Sequence, residues 1–144
     1  MAARPGETST VVTARVGDSD TAELTVGDGV TLTNWDQNGG ICVIRCAVTQ
    51  IDQFGGTLTT EQAGAVGTWN LEDGTAVPNS SGTISAFNLN GGTLDFLQST
   101  VARAVTTLTV GNKGTRRLKV DPAIVTIGTL NDPTQPYEAL FNLA

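Results

Sequence analysis

The chain has 144 residues, enough for one domain, and contains 23 Thr and 17 Gly, with only 15% charged residues, 5% aromatic residues and no His. The missing His excludes His-based acid–base catalysis, the Ser-His and Cys-His nucleophile pairs and every His-containing zinc site. The net charge of -6 argues against general nucleic-acid binding, and 39% hydrophobic residues argue against a disordered acidic chain.

Thr, Val and Gly in these amounts favour strands and tight turns. The charge is uneven along the chain. Residues 1–100 carry three basic against eleven acidic side chains, and residues 101–144 carry five against three. A chain that advances steadily along one axis is then an electric dipole, negative first and mildly positive last.

In chain order, Met1 to Glu7 lacks the apolar core of a secretion signal, and no run of about 18 apolar residues follows anywhere. A strand is expected from Thr8 to Val16, alternating through Val11, Thr13 and Arg15. Asp18-Ser19-Asp20 with Asp28 reads as a solvated acidic loop, since it lacks a complete calcium-loop pattern. Trp35 falls where an insertion could form a loop, and a cap over the first coil is its expected role. Cys42 and Cys46, four residues apart on a strand, are about 13 Å apart, too far for a disulfide, and read as buried reduced thiols.

From residue 21 the chain repeats itself. Thr21 to Thr31, Val48 to Leu58, Val66 to Ala76 and Ile84 to Leu94 superimpose without gaps; Val105 to Thr115 fits with one extra turn residue, and Ile124 starts a sixth unit. The starts are separated by 27, 18, 18, 21 and 19 residues. Each unit is an apolar residue, two small or polar ones, an apolar residue, a Gly-containing turn and a second strand.

Short strands and Gly turns at this spacing predict an all-β, single-stranded β-solenoid, a right-handed β-helix of about five to six coils. A β-sandwich or jelly roll is the alternative, although neither needs equal strand–turn units. One inward ladder is expected through Leu24, Ile51, Trp69, Phe87, Leu108 and Ile127, and a second through Leu71, Leu89 and Val110. Gly29, Gly56, Gly74, Gly92 and Gly114 should stack at a corner that requires positive φ. The organisation expected is an arm or cap over residues 1–20, the solenoid over 21–130 and a tail over 131–144.

Candidates for chemistry are thin. Glu72 and Asp73 sit together on one turn and read as turn-forming residues rather than a glycosidase pair. Asp95 and Arg117 are expected to be rung neighbours in an ion-pair ladder, with a basic patch around Arg116 and Arg117 as the alternative. The tail opens on the breaker cluster Asn131 to Pro136 and ends with Tyr137, Leu140, Phe141 and Leu143, an apolar set that should bury on the last coil or on another chain. No catalytic residue, cofactor or metal site is expected.

The segment Ile84-Ser-Ala-Phe-Asn-Leu-Asn-Gly-Gly-Thr-Leu94 resembles the short right-handed β-helix coils of tailed-bacteriophage virion proteins: fibres, spikes and capsid cement (decoration) proteins. The resemblance spans about residues 21–130 and carries no signature by which functional residues transfer. It implies a non-enzymatic structural protein made in the host cytoplasm and carried on the capsid surface. A homotrimeric knob bound to the major capsid protein would stabilise the head, with Tyr137, Leu140, Phe141, Leu143, Arg116 and Arg117 as contact candidates. Direct nucleic-acid and membrane contacts are not expected. The alternative is a receptor- or glycan-binding tip of a tail fibre or spike, using faces around Trp35 and Tyr137. A small carbohydrate-active enzyme is a third reading, weakened by the short chain.

Overall fold

The computed structural model describes residues 9–17, 22–132 and 141–143. These form fourteen strands and no helix, in two seven-stranded sheets that are parallel throughout. The odd strands build sheet A: β1 (Ser9–Val16), β3 (Val30–Gln37), β5 (Val48–Gln53), β7 (Val66–Leu71), β9 (Ile84–Leu89), β11 (Arg103–Val110) and β13 (Val125–Asn131). The even strands build sheet B: β2 (Glu23–Val26), β4 (Ile41–Ile44), β6 (Thr57–Thr60), β8 (Thr75–Pro78), β10 (Gly92–Asp95), β12 (Arg116–Val120) and β14 (Phe141–Leu143). Each coil contributes one strand to each sheet, so the molecule is a β-solenoid of seven coils. The solenoid begins at β1 rather than at residue 21, and β14 pairs with β12, so residues 141–143 continue sheet B.

Pairing in sheet A aligns Val11, Leu32, Val48, Val66, Ile84, Val105 and Ile127 on successive rungs. Two ladders follow on the same inner side: Trp35, Ile51, Trp69, Phe87 and Leu108, then Gln37, Gln53, Leu71, Leu89 and Val110. Every member of these two is at most 1% exposed. Trp69 and Phe87 meet with ring centroids 5.4 Å apart. Cys42, Leu58, Ala76, Leu94 and Leu118 face them from sheet B. Burying one aliphatic side chain of this size contributes about 1.5–3 kcal/mol, and that gain recurs on every rung.

The expected first ladder needs correction at both ends. Leu24 lies in sheet B ahead of Cys42, and Trp35 holds the rung before Ile51. Ile127 pairs with Val105, while Leu130 follows Leu108 and is 39% exposed on the last coil. Trp35 is neither loop nor cap: it is fully buried in β3. The missed repeat is Leu32-Thr-Asn-Trp35-Asp-Gln-Asn-Gly39-Gly40, which matches Val48-Thr-Gln-Ile51-Asp-Gln-Phe-Gly55-Gly56 position for position. The 27-residue step arose because a sheet B strand and its turn carry the same apolar–polar–Gly signature as a sheet A strand.

Gly56, Gly74 and Gly92 stack at one corner as expected, with Gly40 added below them and Gly114 in the corresponding later turn, but Gly29 lies at the opposite corner, between β2 and β3. All six have φ between 55° and 89°. Gly74 illustrates the reason. A Cβ there would fall on the carbonyl oxygen of Gly56 one coil below, and its φ of 89° disfavours any side chain.

Candidate functional site: the outer faces of the solenoid

Alternation along the strands separates an inner, apolar set from an outer set, and only the outer set can meet a partner. On sheet A the outer residues bond to one another. Arg15 Nε contacts Asp36 Oδ2 at 2.9 Å. Gln50 Nε2 donates to Asp52 Oδ2 at 2.7 Å, Asn70 Nδ2 to Asp52 Oδ1 at 2.6 Å, and Asn88 Nδ2 to Asn70 Oδ1 at 2.7 Å. Asp36 and Asp52 are rung neighbours, and the guanidinium and amide donors around them offset their repulsion. This face is a self-bonded polar ladder.

Sheet B presents a different column. Glu23, Ile41, Thr57, Thr75, Thr93 and Arg117 occupy successive rungs of one outward line. Ile41 is 48% exposed, the three Thr are half-buried, and Glu23 and Arg117 are exposed. Val43 and Thr59 lie beside them on the next outward column. β-Branched residues suit this flat, pleated surface.

The buried polar side chains hold the coils together. Gln37 Nε2 donates to the carbonyls of Gly40 and Thr57, both at 3.2 Å, and its Oε1 accepts from Trp35 Nε1 at 3.3 Å. Gln53 repeats this one coil on, donating to Gly56 O at 3.2 Å and Thr75 O at 3.0 Å while accepting from Trp69 Nε1 at 3.2 Å. Each amide thus ties its own turn to the next coil's strand. Arg103, 5% exposed, donates to the carbonyls of Pro78 (2.6 Å), Phe96 (2.7 Å) and Ser99 (2.6 Å) and lies over the Phe96 ring. It pins the long connection between β10 and β11. Burial lowers its pKa and nearby Asp95 opposes that shift.

The expected Asp95–Arg117 pair is corrected by two residues of register. Arg117 aligns with Thr93, and Asp95 aligns with Lys119, whose Nζ lies 3.0 Å from Asp95 Oδ2. Burial pushes the Asp95 pKa up, but bonds from the Leu97 N–H, Lys119 and Gln98 outweigh it and hold the carboxyl below its usual value.

Of the six contact candidates, Arg117 alone points outward as a free charge among the described residues. Arg116 is half-buried, with Nη1 bonded to the carbonyl of Gly111 in its own turn. The backbones of Phe141 and Leu143 pair with Leu118 and Val120 on the last coil. Tyr137 and Leu140 lie outside the described residues. Glu72 accepts from Asn90 at 2.7 Å, and Asp73 accepts the Gly74 N–H at 2.7 Å, which are turn-holding roles. Both cysteines are free and buried; burial pushes the Cys42 thiol up to about 11 and raises Cys46 as well.

Sequence reasoning missed Gln37, Gln53 and Arg103. The repeated Asp-Gln before Asn-Gly-Gly and Phe-Gly-Gly was the available signal for the two glutamines. Arg103 had none, because its partners are carbonyls brought together by the fold. No protein-family model, curated protein or solved structure matches the chain.

Proposed function

We propose that the protein is a non-enzymatic structural component of a bacteriophage virion, a cement protein that binds coat subunits on the head. The observation that carries this reading is the outer column of sheet B, a line of β-branched side chains running over four coils from Ile41 to Thr93. Such a surface offers extended contact without a cleft to concentrate substrate. The buried polar groups Gln37, Gln53, Asp95 and Arg103 are bonded within the scaffold, where they stiffen it. The resemblance of the Ile84–Leu94 repeat to phage β-helix coils supplies the biological context. The receptor-tip alternative loses one aromatic anchor, because Trp35 is in the core and cannot stack on a sugar.

The test is to mix the purified chain with heads prepared without it and to measure cosedimentation, beside a glycan array. Saturable head binding, weakened by Ile41→Lys on the outer column of sheet B at unchanged thermal stability, supports the reading. Glycan binding with no affinity for heads overturns it in favour of a fibre tip.

A further inference from the structure

The outer column of sheet B has an internal charge order. Among the described residues it begins with Glu23 on the first coil and ends with Arg117 on the sixth, with the uncharged Ile41, Thr57, Thr75 and Thr93 between. Neither terminal charge has an ion-pair partner among the described residues. Five rung spacings of about 4.8 Å separate them by roughly 24 Å.

We infer that a second copy of this chain docks face to face on sheet B, with the two solenoid axes antiparallel. A two-fold axis along the strand direction, midway between the third and fourth coils, maps the column onto itself in reverse. Glu23 of one copy then faces Arg117 of the other, Ile41 faces Thr93, and Thr57 faces Thr75. Both charge pairs form at once, as an isologous contact requires. The neighbouring column follows the same operation and sets Thr59 against Val77, whose paired positions lie on the third and fourth coils.

The whole-chain charge distribution points the same way. Residues 1–100 carry eleven acidic against three basic side chains and residues 101–144 carry five basic against three acidic, so side-by-side antiparallel copies bring unlike ends together. Three parallel copies around a three-fold axis would set Glu23 beside Glu23 and Arg117 beside Arg117. The order of charges therefore selects the antiparallel pair over a parallel trimer built on this face. The inference does not rest on the capsid reading, but it places a second copy on the same face, so that copy and a coat subunit are alternative occupants of it.

The face is about 24 Å by 13 Å, small beside the ~800 Å² per partner of a standard stable interface. The dimer is accordingly weak, populated at high protein concentration and sensitive to salt. Sedimentation of the full chain over a wide concentration range, at low and high salt, reads this directly. The wild type should shift from monomer to dimer with concentration at low salt. Glu23→Arg alone and Arg117→Glu alone should each weaken dimerisation by about tenfold or more, since each turns two attractive contacts repulsive. The double variant should restore it. Circular dichroism checks that each variant folds, and Ile41→Lys supplies a further disruption at an exposed site. A monomer at every concentration, a trimer, or a dimer indifferent to the charge reversals overturns the inference.

Discussion

Gln53 shows how a polar side chain can be required inside an apolar stack. The same inward position holds Leu71, Leu89 and Val110 in later coils, yet coils two and three use glutamine. The two tryptophans explain the difference: their indole N–H groups bond to Gln37 and Gln53. Gln53→Leu should therefore destabilise the fold by about 1–3 kcal/mol by leaving a buried donor unpaired. Adding Trp69→Phe should recover part of that loss, as a double-mutant cycle in denaturant would measure. Thr60 is the opposite case. It is 2% exposed between Ile44 and Pro78, and its hydroxyl has no partner. Thr60→Val should raise stability by roughly 1 kcal/mol in the same assay. The thiols give a third residue-scale outcome: with Cys42 pushed up to about 11 and both thiols buried, native protein at pH 8 should resist thiol reagents. Both should react once the chain is denatured.

At the scale of elements, pairing register decides which charges meet. Asp95 reaches Lys119 because β10 and β12 align Leu94 with Leu118. Its carboxyl is held below the ordinary value, so the sign follows from linkage: the ionised form is favoured by folding. That stability is present above the ordinary carboxylate pKa of about 3.9 and is lost as pH falls through the lower folded value. Asp95→Asn should lower thermal stability at neutral pH and flatten the acid limb of the Tm–pH curve. The repeat was legible from residue 48 to residue 94, where apolar spacing and Gly corners recur every 18 residues. It was misread before residue 48 because β2 imitates a sheet A strand. The β11–β12 turn obscured the Asp95 register: Val110 aligns with Leu89 and Arg116 with Gly92, so the turn holds three extra residues rather than the one that the sequence alignment allowed.

For the whole molecule, sequence alone supplied the solenoid, the corner glycines other than Gly40 (with Gly29 assigned to the wrong corner) and the charge polarity. It did not supply the outer column of sheet B, because a line of surface residues from different coils is set by stacking and has no local pattern. Arg117 was visible as a cationic residue, but its place at the opposite end of one outer column from Glu23 emerges only once six coils are in register. A stack of coils with flat faces, in which the buried Gln37, Gln53 and Asp95 side chains are bonded internally, suits a protein that contributes surface and stiffness to an assembly. Copy number in the assembled particle tests this most directly. Quantitative mass spectrometry of purified virions should find the chain in a small whole-number ratio to the major coat subunit. Absence from the particle, or only the few copies expected of a tail tip, would contradict the account.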